Sequence, residues 1–413
     1  MDKLELLAPA GDLEKLKIAI VYGADAVYFG GQAFSLRAGA GGLSIPEMEE
    51  GLAFAHDRGK KCYLTLNIYA HNEDIKPLYE YLESIKHLPL DGILVSDPGI
   101  MMMIKEVMPN IDIHLSTQAN LTNAKTAEFW REQGMKRLVL ARELSLSEIK
   151  EIRSSLPEDV ELEAFVHGAM CISYSGRCLL SNFMTGRDSN RGACAHPCRY
   201  KYVLEEEKRP GEYYPIEEDE RGTYIMNSKD LCMIEHIPEL IEAGVCSAKI
   251  EGRMKSIFYI AEVISAYRKA IDSYYENPEG WTFNPEWMEE LKKASHRAFT
   301  TGFYFEYPND AQNYSTSNYI KTYSFNGIVI SYNDETKEAL VEQRNKMVVG
   351  DEVEFFGPDA KCFKQVISEM KDYETGESIL EAPHPKQKIL IKTEEPVFEN
   401  YMIRKELQKS EEE

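Results

Sequence analysis

A regular alternation of apolar strands and amphipathic helices constrains the fold of this chain more than any other feature. Eight such strand–helix units fill the first two thirds of the 413 residues, from a strand at residues 4–10 to a final helix at residues 256–277. An open doubly wound sheet would normally contain fewer strands, whereas eight consecutive units are typical of a TIM-like (β/α)8 barrel. The alternation therefore predicts such a barrel over residues 1–305.

Two interruptions of this pattern divide the chain further. The seventh predicted strand is followed by a cysteine-containing insertion over residues 168–232, which is far longer than an ordinary loop. It lies on the face of the barrel where such folds carry their active sites. After a linker-like stretch at residues 306–322, the pattern changes to strands separated by turn residues. It predicts a small antiparallel β-barrel domain over residues 323–398, followed by a frayed tail at residues 399–413.

Composition and charge limit the compartment and the partners. No apolar run reaches the roughly 18 residues of a membrane span, and the acidic start of the chain does not resemble a signal peptide. We therefore expect a cytoplasmic protein without membrane contact, whose eight cysteines are reduced, buried or metal-bound. A net charge of −22 disfavours a nucleic-acid partner overall, although a local cluster of basic residues can still bind phosphate. Such a cluster is also compatible with an ordinary solvated loop. That cluster comprises Arg187, Arg191, Arg199, Lys201, Lys208 and Arg209.

Strand parity predicts a polar barrel interior. Where the apolar side chains of a strand face the outer helices, the alternate side chains face the barrel axis. The predicted inward set is Tyr63, Thr65, Asn67, His114, Ser116, Gln118, Glu163, Phe165, His167, Lys249 and Glu251. Barrel interiors are usually apolar, so these groups must satisfy one another or bind a polar ligand. The residues that we expect to bind such a ligand are Asn67, Gln118, Arg142, His167, Lys249, Glu251 and Arg253, the cations gripping carboxylates.

A cluster of cysteines points to a metal. Cys62, Cys246 and Cys362 fit ordinary core thiols. Five others lie close together in the sequence: Cys171, Cys178, Cys194, Cys198 and Cys232. Thiolates bind zinc or iron–sulfur clusters, and the irregular spacing favours an iron–sulfur cluster slightly over a zinc knuckle. A cysteine nucleophile with His167, His196 or His236 as its base stays an alternative.

The segment from Glu163 to Ser181, EAFVHGAMCISYSGRCLLS, resembles a known family. It agrees at every position with E-x-F-x2-G-[SA]-[LIVM]-C-x4-G-x-C-x-[LIVM]-S, the signature of peptidase family U32, the collagenase-like proteases. The stretches STQANLTN, NRGACAHPCRYKY, NSKDLC and KIEGRMKS also look like this family, so that the resemblance extends along the whole chain. Within the family, the layout is most similar to members that hydroxylate tRNA.

This resemblance implies an enzyme that forms 5-hydroxyuridine at the wobble position of tRNA in a prephenate-dependent reaction. It implies a [4Fe-4S] cluster on Cys171, Cys178, Cys194 and Cys232, with Cys198 as a substitute ligand. Prephenate bears two carboxylates, which the predicted cations would bind. Loop 187–209 would contact tRNA, and a protein partner of the same family would help to bind it. Two alternatives stay open. One is a peptidase, although the chain has no HExxH or GxSxG motif, and the other is a non-catalytic, zinc-stapled RNA-binding protein.

Overall fold

The computed structural model of the protein describes most of the barrel and the small domain, and parts of the insertion. The described residues are 3–32, 34, 42–170, 173, 175, 177–178, 180–187, 189, 194–199, 203–205, 213–215, 229–305 and 319–407. Most of the predicted linker at residues 306–322 lies outside these ranges. So do five predicted site residues: Cys171, Arg191, Lys201, Lys208 and Arg209.

Eight parallel strands close into a barrel, which confirms the predicted (β/α)8 architecture. In chain order, the strands as far as residue 305 are β1 (Glu5–Ala10), β2 (Ala26–Gly30), β3 (Lys61–Leu66), β4 (Gly92–Val95), β5 (Ile113–Leu115), β6 (Arg137–Val139), β7 (Glu161–Ala169), β8 (Val203–Glu205), β9 (Tyr213–Pro215), β10 (Asp230–Cys232), β11 (Ser247–Ile250) and β12 (Phe299–Thr300). Strands β1 to β7 pair in sequence order, and β11 pairs with both β1 and β7, which closes the barrel.

Helices cover the outside of the barrel, except for one helix that belongs to the insertion. They are α1 (Leu13–Val21), α2 (Ile45–His56), α3 (Asn72–Ile85), α4 (Pro98–Val107), α5 (Ala124–Glu132), α6 (Leu146–Ser154), α7 (Leu180–Thr185), α8 (Ile237–Glu242), α9 (Ile257–Glu276) and α10 (Pro285–Lys293). The helix of the insertion is α7. Ser44 and Ser145 begin α2 and α6 with capping boxes, which satisfy free backbone N–H groups of the first turn. None of the helices in the described part of the chain combines the length and apolarity that crossing a bilayer requires.

The insertion leaves the barrel after β7 and returns to the same strand. Its described parts include α7 and the antiparallel pair β8–β9. Strand β10 then runs antiparallel to the end of β7, with Asp230 opposite Ala169 and Cys232 opposite His167, and β12 extends this edge. The predicted insertion after strand seven is therefore confirmed, and its return strand lies at the C-terminal end of the barrel.

A β-bulge changes the direction of one predicted inward side chain. Phe165 of β7 lies opposite Lys249 of β11, but the next pair is His167 with Ile250, so Val166 is an extra residue on β7. An extra residue inverts the alternation of a strand. The His167 ring accordingly packs against aromatic rings of the outer helix α9, 5.5 Å from Tyr267 between centroids. The prediction that His167 faces the barrel interior is wrong for this reason.

The C-terminal domain is antiparallel, as predicted. Its strands are β13 (Tyr323–Asn333), β14 (Glu338–Gln343), β15 (Met347–Val348), β16 (Glu352–Phe356), β17 (Cys362–Val366), β18 (Met370–Asp372), β19 (Ser378–Ile379), β20 (Glu381–Ala382), β21 (Lys388–Lys392) and β22 (Met402–Glu406). Eight of them form one half-barrel sheet in the order β17–β16–β22–β13–β14–β21–β18–β19, and β15 pairs with β20.

The last strand corrects a predicted boundary. Strand β22 lies between β13 and β16, and its Arg404 is fully buried. The frayed tail predicted over residues 399–413 is therefore wrong for Met402–Glu406, and the small domain extends beyond residue 398. The charged sequence of this strand resembles a solvated tail, but carboxylates from the barrel and from β16 neutralise its arginine.

Candidate functional site

A cavity lies at the C-terminal end of the barrel, between the strand ends and the described parts of the insertion. Most of the predicted ligand-binding residues line it, and they are Asn67, Gln118, Arg142, Lys249, Glu251 and Arg253. His167 is absent from this lining because the bulge in β7 turns its ring towards α9. The end of the barrel where such folds carry their active sites thus holds a concave polar site.

Below the cavity, the barrel interior forms an ion network that the sequence analysis missed. Arg137 at the start of β6 donates to Glu5 Oε1 at 2.6 Å, to Glu161 Oε2 at 2.6 Å and to Glu163 Oε2 at 3.2 Å. The Tyr63 hydroxyl donates to Glu5 Oε2 at 2.8 Å. Burial alone would raise the pKa of Glu5, but Arg137 and the other donors hold it below its ordinary value. Single charged residues within otherwise apolar strands could have indicated this network in the sequence.

The interior is therefore divided into two layers. The lower layer confirms that polar groups of the interior satisfy one another, whereas ligand binding by the upper layer stays a prediction. Glu163 connects the layers, because one carboxylate oxygen accepts from Arg137 and the other accepts from the Lys249 ammonium at 2.5 Å. The polar groups of the lower layer pair with one another, while the upper layer lines the cavity. Lys249 belongs to both, since it is paired with Glu163 and also lines the cavity.

Two guanidinium groups lie on the cavity wall. Arg253 is buried and donates from Nη1 to Thr65 Oγ1 at 3.3 Å. The Arg142 guanidinium stacks over the Phe165 ring, with its carbon 4.4 Å from the ring centroid. The Arg142 Nε atom is buried and has no hydrogen-bond partner within the described part of the protein. A buried donor of this kind is costly unless a ligand accepts from it, and a carboxylate is the natural acceptor.

Three of the clustered cysteines, Cys178, Cys194 and Cys198, line the same cavity. The Cys194 sulfur accepts a hydrogen bond of 3.4 Å from the backbone N–H of His196, a residue with a left-handed φ of 55°. Ser181 fixes the same turn, since its hydroxyl accepts from the Ala195 N–H at 2.9 Å.

Cys232 is not among the described residues that line this cavity. It is buried on β10, where the Tyr267 hydroxyl donates to its sulfur at 3.9 Å, and burial raises the pKa of its thiol to about 12. Cys171 falls outside the described residues. Across the described ranges, no three His, Cys, Asp or Glu side chains converge on a common metal position. The predicted ligand set therefore stays a prediction.

The remaining predicted residues are described only in part. Cys62 is fully buried and Cys246 is partly buried, but Cys362 is exposed, so the prediction of a core thiol is wrong for Cys362. Arg187 is exposed directly after α7, and Arg199 belongs to a short turn at Pro197–Arg199.

Comparison with known families decides where the chain belongs. The profile of peptidase family U32 matches residues 11–314, and that of the peptidase family U32 C-terminal domain matches residues 321–404. The chain belongs to peptidase family U32. The second match covers the half-barrel domain as far as Arg404 in β22, and the first covers the insertion and all of the barrel except β1. The cavity lining described above therefore lies within the U32 match.

Relatives of this U32 protein bear names of different activities. It is 46% identical over 404 residues to tRNA hydroxylation protein P1 of Bacillus subtilis (strain 168), covering 98% of this chain and 95% of that one. It is 40% identical over 402 residues to tRNA hydroxylation protein P of Escherichia coli (strain K12), covering 87% of each. It is 31% identical over 386 residues to a protein named collagenase from Porphyromonas gingivalis (strain ATCC BAA-308 / W83), covering 90% of this chain and 91% of that one.

Proposed function

We propose that this protein is a tRNA hydroxylase, which forms 5-hydroxyuridine at the wobble position in a prephenate-dependent reaction. The observation that carries the proposal is the 46% identity, over 98% of the chain, to a protein named for tRNA hydroxylation. The cavity supports it, because it combines thiols with polar and cationic side chains at the C-terminal end of a barrel. Adding a hydroxyl group at uridine C5 needs an oxygen donor and a route for electrons, and both must meet the base in one site.

The cofactor we propose is a [4Fe-4S] cluster, with ligands from Cys171, Cys178, Cys194 and Cys232 and with Cys198 as the substitute. Two observations support this proposal: three thiols line one cavity, and the His196 N–H is directed at the Cys194 sulfur. Hydrogen bonds to cluster sulfurs are a means by which proteins tune reduction potential. When bound, the cluster would supply electron transfer beside the cavity, while the residues of the chain bind and orient the reactants.

Prephenate would bind through its two carboxylates. Arg142 and Arg253 can each grip a carboxylate in the two-pronged geometry that favours arginine over lysine. A carboxylate would also provide the acceptor that Arg142 Nε lacks among the described residues. Asn67 and Gln118 on the same wall offer neutral groups that can orient the rest of the molecule.

The tRNA would contact the insertion. Arg187, exposed after α7, begins the basic loop 187–209. Because the chain carries a net charge of −22, phosphate binding would depend on such local cations and would weaken steeply with salt. A partner protein of the same family would add binding surface where this chain is acidic.

Anaerobic purification with iron and sulfide quantitation tests the cofactor. We expect a brown protein with about four iron atoms per chain, and loss of iron when any cluster ligand among the five cysteines is changed to serine. Cys246→Ser is the matched control, because its hydroxyl can still donate to the Leu162 carbonyl as the thiol does at 3.3 Å. A colourless protein that holds zinc after reconstitution would contradict the cluster and favour the zinc-stapled alternative.

Nucleoside analysis of tRNA tests the reaction itself. We expect 5-hydroxyuridine to disappear from wobble positions in a strain that lacks this protein and to return with the wild-type chain only when prephenate is available. Peptidase activity is the second candidate, because a 31% identical relative is named collagenase. Unchanged tRNA in the deletion strain, together with cleavage of a defined peptide that the cysteine variants lose, would replace the hydroxylase with the peptidase.

A further inference from the structure

A primary amine lies on the wall of the cavity, in surroundings that suit covalent chemistry. Lys249 is only 3% exposed and still lines the cavity. Its Nζ atom lies 4.2 Å from the centroid of the Tyr28 ring and 5.5 Å from that of the Phe165 ring. The Glu163 carboxylate accepts a hydrogen bond from it at 2.5 Å. The amine is thus desolvated, belongs to a residue that lines the cavity, and lies next to a group that can exchange protons with it.

We propose that Lys249 forms an imine with the carbonyl group of a small 2-oxo acid bound in this cavity. The carboxylate of such a ligand would bind Arg142, whose guanidinium carbon lies 4.4 Å from the same Phe165 ring that Lys249 approaches. A ligand with a carbonyl group next to a carboxylate therefore fits this wall, because the carbonyl can react with the amine while the carboxylate binds the guanidinium beside the same ring. This inference rests on the proposed function and deepens it, because prephenate is itself a 2-oxo acid.

The step balances with the groups at hand. Glu163 accepts a proton from the Lys249 ammonium, the free amine adds to the ketone carbon, and a second amine proton moves to the carbonyl oxygen to give a carbinolamine. The proton held by Glu163 then transfers to the departing hydroxyl, so that the C–O bond breaks, the C=N bond of a protonated imine forms and one water molecule leaves. No oxidant or reductant takes part. The product holds the 2-oxo acid at a fixed point in the cavity.

The electrostatic surroundings favour a reactive amine. Burial lowers the pKa of Lys249, which outweighs the opposing attraction of Glu163, and the Arg137 guanidinium below acts in the same direction as burial. Desolvation and a neighbouring cation are the two means by which proteins activate lysine nucleophiles. Glu163 also keeps its second partner, Arg137, when it exchanges a proton with Lys249. A purely structural ion pair would not need Lys249 to line the cavity.

Reductive trapping tests the proposal without any measurement of hydroxylation. The full-length protein, purified anaerobically, is incubated with pyruvate and cyanoborohydride, and the modified residue is identified by peptide mass mapping. We expect one reduced pyruvyl adduct, on Lys249, with lactate giving none because it lacks the carbonyl group. Lys249→Arg keeps a cation beside Glu163 but cannot form an imine, so this variant should lose the adduct. Lys255→Arg, nearby in sequence, should retain it.

The outcomes separate this inference from the proposed function. An adduct on Lys249 that saturates with pyruvate supports the imine, even if no 5-hydroxyuridine is found. Absence of an adduct in the wild-type protein, or labelling spread over exposed lysines, overturns the imine even if tRNA hydroxylation is intact. If Lys249→Arg fails to fold, the mapped site and the saturation in the wild-type protein decide alone.

Discussion

Arg404 of β22 donates a hydrogen bond to Glu262 of α9, and this contact joins the small domain to the barrel. Both side chains are buried, at 0% and 2% exposure. Arg404 also donates to Glu354 at 2.7 Å and to Glu290 at 2.9 Å, while the Lys293 ammonium lies 2.7 Å from Glu290. These three carboxylates around two cations leave one excess negative charge when every group is ionised.

Removing the central cation should destabilise the contact between the domains strongly. In Arg404→Met, buried carboxylates lose their main partner, and such a change costs about 3–5 kcal/mol. Urea unfolding followed by tryptophan fluorescence reports it, because Trp287 of α10 lies beside this contact. Lys405→Met is the control, since Lys405 is 31% exposed and pairs with Asp351 at 3.0 Å. The control should cost about 1 kcal/mol or less, and an equal loss in both variants would contradict the prediction.

The excess negative charge should make the stability of the contact depend on pH. Burial raises the pKa of Glu262 from 4.5 to about 7, against the opposing effect of Arg404. Between these two values the folded state binds more protons than the unfolded state, so this stabilisation is complete below pH 4.5 and is lost as pH rises through about 7. Glu262→Gln imitates the protonated form, so its free energy of unfolding should change less than that of the wild type over that range.

Glu354 provides the opposite control for this pH dependence. Burial alone would raise its pKa, but hydrogen bonding and attraction by Arg404 lower it to about 2. Its stabilisation is therefore present above pH 4.5 and is lost only as pH falls through about 2. Glu354→Gln should be less stable than the wild type at neutral pH, without flattening the slope near pH 7. A wild-type slope that survives in Glu262→Gln would refute the assignment.

The barrel could be predicted from the sequence because its signal is local and repeated. Each strand–helix unit shows its own apolar period, and eight repeats leave few alternatives. Strand β22 had no such signal, because its Arg404 finds Glu262 and Glu290 more than a hundred residues away in the sequence. A buried charge and a solvated tail look alike until the fold brings the partners together.

The site could be predicted only as far as strand parity holds. Parity identified Asn67, Lys249 and Glu251 on the cavity wall. It failed for His167, because the bulge at Val166 is an event in the pairing of two strands and leaves no mark in a single strand. The network of Arg137 was missed for a related reason. Its strand has only three residues, which are too few to show an alternation of inward and outward side chains.

Gly168 should be irreplaceable at the end of β7. Its φ of +107° favours glycine, and a Cβ atom there would lie 2.6 Å from the carbonyl oxygen of Glu251, which lines the cavity. Gly168→Ala should therefore cost about 1–3 kcal/mol and reduce hydroxylation by displacing the end of β11. Gly186→Ala is the control, because Gly186 also has a positive φ, +68°, but no atom of the described residues lies within 4 Å of a new Cβ. Thermal unfolding and product yield that are equal in both variants would show that the close approach is unimportant.

Arg142 should govern affinity for the carboxylate ligand without supporting the fold. Its Nε has no hydrogen-bond partner among the described residues, so Arg142→Met removes an unsatisfied buried donor and should leave the unfolding free energy nearly unchanged. A hydrogen bond to a charged group contributes about 1.5–3 kcal/mol, which corresponds to about a 10- to 150-fold weaker Kd for prephenate in the variant. Anaerobic titration calorimetry measures it, with Arg187→Met as an exposed-arginine control that should bind prephenate like the wild type. Equal affinity in Arg142→Met and wild-type protein would remove Arg142 from the carboxylate site.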